Sequence, residues 1–237
     1  MKFFIIVIFT FISFVANAQT KDEILKHHFE KMGASAKWLT INSMKVESLN
    51  INSESDTTKH VKFAKKPNLA KIELNSNIRK PVHVLVCADS LGAWQRINNN
   101  DVERISTYGI DFIQTDMTIF IANELKNTGN IQLKRNEILN GKEYHILDIK
   151  NNTVIRRLLY INTKTYMIDA YRSVDYENGS ELSDIITTFL LDYRDVKGFL
   201  FPFQSFTEIA GSKSKRIVTN LQINIPIDNK IFSPESK

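Results

Sequence analysis

The chain has 237 residues, 43% hydrophobic and 24% charged, with a formal net charge of +5 and one cysteine. This apolar fraction, carried with little net charge, excludes an intrinsically disordered chain, and a lone cysteine excludes a scaffold stapled by internal disulfides. Eight glycines and five prolines exclude collagen-like and low-complexity classes.

The apolar residues are unevenly spread. Met1-Lys2 gives a positive start, Phe3 to Val15 is almost wholly apolar, and Ala16-Asn17-Ala18 is a small-x-small cleavage site. This is the three-part pattern of a secretory signal peptide over residues 1–18, cleaved after Ala18. The run is shorter than the ~20 apolar residues of a spanning helix. The expectation is a soluble mature chain of one domain, residues 19–237, outside the cytoplasm.

Thr20-Lys21-Asp22-Glu23 is a capping box, and Ile24, Leu25, His28, Phe29 and Met32 follow at helical spacing. Gly33 is placed to stop that helix, predicted over 20–32. From Trp38 the period changes to two. Ile72 and Leu74 alternate with charged neighbours, and Val82, Val84 and Val86 share one face of the next run. Strands are predicted near 131–139, 142–150, 154–162, 167–177, 181–195, 199–209 and 214–225. Asn140-Gly141 and Asn178-Gly179 are hairpin pairs, because both residues tolerate positive φ, and Gly198 and Gly211 mark further reversals. Ile217, Thr219, Leu221, Ile223 and Ile225 are expected on one side of the last strand, and Phe199, Phe201 and Phe203 on one side of its neighbour. Strands this long in one sheet must twist and curl. The fold class expected is mainly β: one large curved antiparallel sheet forming an unclosed barrel, with an N-terminal helix and an inserted helix.

That inserted helix is expected between Asp101 and Gly129, where alternation fails. Met117, Phe120, Ile121 and Leu125 would face one way, either as a fixed plug or as a lid over the sheet's interior.

Catalytic chemistry has no readable signature. His27 and His28 are adjacent and diverge around their helix, while His60, His83 and His145 have no ligand-spaced partners. H-E-x-x-H, C-x-x-C, G-x-S-x-G, P-loop and G-x-G-x-x-G patterns do not occur. Cys87 reads as a small buried residue in an apolar strand. No catalytic residues, metal site or cofactor are predicted. Cations such as Lys62, Lys71, Arg156, Arg157, Lys215 and Arg216 are dispersed, which reads as a solvated, mildly basic surface and not as a nucleic-acid stripe.

The order of several short motifs resembles the periplasmic outer-membrane lipoprotein-sorting carriers, the LolA/LolB-like group, and especially its Bacteroidetes members. The helix ending at Gly33-Ala34, Asp89-Ser90-Leu91-Gly92-Ala93-Trp94, and Asn140-Gly141-Lys142-Glu143-Tyr144 carry the likeness. So do Tyr160-Ile161-Asn162-Thr163-Lys164-Thr165, the reversal from Tyr193 to Gly198 with Phe201-Pro202, and the closing segment from Asp228 to Pro234. Gly33-Ala34 departs from a commoner Gly-Gly, and Asn162 from an Asp. The resemblance implies a barrel whose concave face is covered by helices, with an apolar cavity for acyl chains and no enzyme activity.

The expected function is therefore a periplasmic carrier of lipoprotein acyl chains or another lipid. Candidate cavity residues are Ile72, Leu74, Val84, Val86, Trp94, Leu159, Phe189 and Leu191, with Phe120 and Ile121 on the inserted helix. Membrane receptor proteins are the expected partners of a monomer. The alternatives are a non-catalytic envelope module that binds a protein, and an envelope hydrolase in which His145 or His83 would face a carboxylate and a hydroxyl.

Overall fold

A computed structural model describes residues 19–33, 35–52, 54, 56–76, 82–88, 92–98, 100–105, 125, 128–150, 155–177, 180–181, 186–209 and 211–233. The signal segment and the expected helix bearing Met117, Phe120 and Ile121 lie outside the described residues.

Helix α1 (Lys21–Met32) begins as its sequence dictates: the Thr20 hydroxyl accepts from the Glu23 backbone N–H, and Glu23 reaches back to the Thr20 N–H at 2.8 Å. Ile24, Leu25, His28, Phe29 and Met32 are its buried stripe. Gly33 ends it at φ 110°, and its backbone lies so close to the next layer that a Cβ there would stand 2.3 Å from the Gly198 carbonyl oxygen. A second, short helix α2 (Ser35–Trp38) was not expected from the sequence. It carries Trp38 under α1, where the indole N–H donates to the Met32 carbonyl at 3.1 Å and the ring packs 5.3 Å from Phe199 and 5.0 Å from Phe201.

The described strands join into one antiparallel sheet. The first six are β1 (Ser43–Ile51), β2 (Thr57–Lys65), β3 (Leu69–Ser76), β4 (Val82–Ala88), β5 (Ala93–Ile97) and β6 (Glu103–Ile105). They are followed by β7 (Ile131–Leu133), β8 (Glu137–Leu139), β9 (Lys142–Ile149), β10 (Ile155–Asn162), β11 (Ile168–Glu177) and β12 (Ser180–Glu181). The chain closes with β13 (Ile186–Val196), β14 (Phe199–Ile209) and β15 (Ser212–Ile223). The order across the sheet is β6-β5-β4-β3-β2-β1-β15-β14-β13-β11-β10-β9-β7, with β12 on β11 and β8 on β9. The sheet curves without closing into a barrel, as expected.

Turn chemistry sets this meander. Asn140 and Gly141 both take positive φ (50° and 74°) between β8 and β9, as do Lys197 and Gly198 (57° and 84°) between β13 and β14. After β10, the Asn162 side-chain oxygen accepts from the backbone N–H of Lys164 and Thr165 at 2.9 and 3.1 Å. Asn in place of Asp thus keeps the same acceptor.

Two expectations need correction. The strand read at 131–139 is two pieces, β7 and β8, both paired with the edge of β9 and offset by one residue: Leu133 pairs with Leu147 but Glu137 with Tyr144. In β15, a bulge opposite Glu47 and Ser48 leaves Thr219 unpaired in the ladder. The extra residue reverses the phase, so Val218 joins Leu221 and Ile223 on the inner face while Ile217 pairs with Leu49 outside. The grouping of Ile217 and Thr219 with Leu221 and Ile223 therefore fails. The three phenylalanines of β14 do share the inner side: Phe199 and Phe201 are buried in the core and Phe203 packs against it.

Candidate ligand-binding interior

The concave face of the sheet is the candidate site, and its register can be read row by row. Nearest α1, Ile223, Met44, Ala64, Ala70, Ala88 and Ala93 lie in one row across β15 and β1 to β5. Ala64, Ala70 and Ala93 leave space for the helix layer, and this end is filled: Ile24, Ile41, Ala64, Ala70 and Ala93 are each 0% exposed. The described residues of β9 and β10 complete it with Leu147, Ile149, Leu159 and Ile161.

One row on stand Leu221, Val46, Lys62, Ile72 and Val86, and beyond them Val218, Ser48, His60, Leu74 and Val84. Val46, Leu74, Leu190, Phe203 and Leu221 pack against the core yet are only half-buried. The last row contains Ser205, Arg216, Asn50, Thr58 and Ser76. The inner face thus grades from closed and apolar under α1 to polar and basic away from it.

The basic groups correct the expectation of a uniformly solvated charge distribution. Lys62 is 6% exposed and Arg157, which follows the inward phase of Leu159 on β10, is 3% exposed. Arg216 is half-buried. Burial holds the Lys62 ammonium well below the ordinary lysine range, and the Arg216 guanidinium beside it pushes the same way. His60 is pushed down to about 4 by burial and then by the charges of Lys62 and Arg216. Asn50 Nδ2 meets His60 Nδ1 at 3.3 Å. Ser48 Oγ and Asn50 Oδ1 are buried without a hydrogen-bond partner among the described residues. Sequence alone could not find this cluster, because β2 carries polar and apolar groups on both faces and β15 changes phase at its bulge.

Under α1 the titratable group is His28, 3% exposed. Its Nδ1–H donates to the Tyr166 carbonyl at 2.8 Å, which fixes the neutral tautomer. Burial lowers its pKa to about 4, against the opposing pull of that carbonyl.

Of the candidate residues, the inner face brings together Ile72, Leu74 and Leu159, and the register places Val86 opposite Ile72 and Val84 opposite Leu74. Three others lie elsewhere. Trp94 pairs with Cys87 and alternates with the inward Ala93, so it belongs to the outer face. There Cys87, 2% exposed, points its thiol toward the Ile231 carbonyl of the closing segment, whose Phe232 is also buried. Phe189 packs in a separate outer cluster with Tyr144, Ile146, Tyr160 and Ala170, and Leu191, two residues on, is 43% exposed. Phe120 and Ile121 lie outside the described residues, although Leu125 beyond them is buried in the inner core.

Of the two histidines in the hydrolase expectation, the side chain of His83 lies outside the described residues. His145 Nδ1 meets the Asn136 side-chain oxygen at 3.1 Å, where a carboxylate was required, and His60 meets the Asn50 amide. Among the described residues no group of three or more His, Cys, Asp or Glu side chains could hold a metal ion. No helix among them is long and apolar enough to cross a membrane.

No protein-family model matches the chain. No curated protein matches it either. Solved structures do. A LolA superfamily protein of Nitrosomonas europaea superposes with a TM-score of 0.59 at 15% identity, covering 91% of this chain and 98% of its own. A DUF1329 family protein of Desulfovibrio piger gives 0.57 at 15% identity, covering 88% and 97%. A putative outer membrane lipoprotein-sorting protein domain of Vibrio parahaemolyticus gives 0.55 at 13% identity, covering 90% and 97%. At these identities the likeness is one of architecture, and over nearly its whole length this chain has the LolA-like fold.

Proposed function

We propose that this protein is a periplasmic carrier or binding protein that holds the acyl chains of lipoproteins, or of another lipid, against the concave face of its sheet. The observation that carries the reading is the set of inward apolar side chains, Val46, Leu74, Leu190, Phe203 and Leu221, that stay half-buried beside a fully packed helix-covered end. Each methylene moved from water onto such a surface gains ~0.8 kcal/mol, so an acyl chain needs no covalent attachment to be held. Direction comes from donor and acceptor, since a cavity alone favours neither loading nor release. Membrane receptor proteins would fill those roles, and the leader over residues 1–18 would place the mature chain in the same compartment. The likeness to a lipoprotein-sorting domain supports the reading at the level of fold.

Two measurements test it. Mass spectrometry of the natively purified protein should find co-purified lipid, and titration with a fluorescent polyene fatty acid should saturate at one or a few sites. An empty protein that binds no acyl probe would overturn the proposal. The second reading, a module that binds a protein, draws on Leu191 and Phe206, 43% and 37% exposed on the outer face of β13 and β14. Crosslinking that recovers one stoichiometric protein partner, with no lipid, would favour it.

A further inference from the structure

Two side-chain oxygens at the polar end of the concave face are buried without use in the fold. Ser48 is 1% exposed, and its Oγ has no hydrogen-bond partner among the described residues. The same holds for Asn50 Oδ1, two residues along β1 and so on the same face. The Asn50 amide nitrogen donates to His60 Nδ1 at 3.3 Å, and His60 is also the ladder partner of Ser48. With Nδ1 accepting, the imidazole proton sits on Nε2. Burial is the first reason that the pKa of this ring falls to about 4, so it is neutral at pH 7. A hydroxyl, an amide oxygen and an imidazole N–H therefore share one patch of the inner face.

Apolar groups adjoin this patch. Val46 stands two residues before Ser48, Val218 pairs with Ser48, and Leu74 pairs with His60. Val218 turns inward because of the β15 bulge, which the Thr219 hydroxyl fastens by donating to the Glu47 carbonyl at 3.2 Å. Polar atoms left unpaired in such a place cost the fold their full desolvation, whereas apolar side chains of the same shape would not. A ligand that brings a donor to Asn50 Oδ1, and a donor or acceptor to Ser48, removes that cost on binding. A simple ester supplies acceptors only and leaves Asn50 Oδ1 unpaired. The matching head carries O–H or N–H, and its chain runs over the half-buried Val46, Leu74 and Leu221.

Resting on the carrier reading, we infer that Ser48, Asn50 and His60 form a subsite for a neutral head group that donates hydrogen bonds, an alcohol or an amide, borne by the acyl-chain ligand. The cargo preferred by this protein is a lipid bearing O–H or N–H at its head, not a simple ester.

The test is a competitive titration of the purified protein, loaded with a fluorescent polyene fatty acid, using monolaurin, lauramide and methyl laurate. All three are neutral and share one acyl chain, but only the first two carry donors. Monolaurin and lauramide should bind about tenfold more tightly than methyl laurate, as one or two net hydrogen bonds give. An advantage confined to monolaurin assigns the head to an alcohol, and one confined to lauramide assigns it to an amide. Ser48→Ala and Asn50→Leu should each reduce the advantage about threefold and leave the affinity for methyl laurate unchanged. In the ligand-free protein Ser48→Ala should not lower the urea midpoint, and a clear fall would show the hydroxyl bonded within the fold and overturn the subsite. Equal affinity for all three ligands would overturn the subsite, assign its polar atoms to solvent and leave the carrier reading standing. Failure of the probe and all three ligands to bind would overturn the carrier reading itself.

Discussion

The two ends of the concave face are built from the same strands and behave differently. Under α1 the sheet presents apolar groups that meet Ile24, Leu25, Phe29 and Trp38, and all four are buried. A few residues along the same strands, Leu74, Val46 and Leu221 are left half-buried, and Ser48, His60, Lys62 and Arg216 stand on the same inward rows. One end uses its apolar area to hold the helix, and that is a folding function. The other leaves apolar side chains half-buried beside inward polar and basic groups. Function is to be sought in the part of the core that the described residues leave half-buried.

The largest break in this comparison should come from Gly33→Ala. Its positive φ and a Cβ 2.3 Å from the Gly198 carbonyl oxygen would force α1 away from β14, with an expected loss of about 4 kcal/mol in urea unfolding. Leu159 and Leu74 then compare the ends directly. Leu159→Ala should cost about 3 kcal/mol, since the residue is 1% exposed, whereas Leu74→Ala should cost about 1 kcal/mol and instead weaken acyl-probe binding.

Acidification should act on both ends in one direction. His28 and His60 have native pKa values near 4, below the ordinary histidine value of 6.5, so the unfolded chain binds more protons between those pH values. Stability is full above about pH 6.5 and declines as pH falls toward 4. His28 alone accounts for roughly 3 kcal/mol across that window. Unfolding midpoints at pH 7.5, 5.5 and 4 should show the decline, and a flat profile would contradict the burial of these rings.

Much of this architecture is legible in the sequence. The capping box at Thr20, the stop at Gly33 and the Asn140-Gly141 turn are local devices whose geometry follows from the residues that make them. The curved meander follows from strand length and turn spacing. Face assignment was less legible. Strands such as β13 carry apolar side chains on both faces, so periodicity could not show that Phe189 and Leu191 point outward, and Trp94 suffered the same ambiguity. In β15 one unpaired residue, Thr219, changed which side chains turn inward, and a bulge has no reliable signature in a single sequence. Lys62 and Arg216 were read as solvated because lysine and arginine are rarely buried.

Covalent mapping tests most directly whether ligand occupies the half-buried end of the concave face. The protein would be irradiated with a photoreactive fatty acid and the labelled residues identified by peptide mass spectrometry. Labels are expected on inward positions of β1, β3 and β15, foremost Val46, Leu74 and Leu221. Labels on the outer face, at Leu191 or Phe206, or no saturable labelling at all, would contradict it.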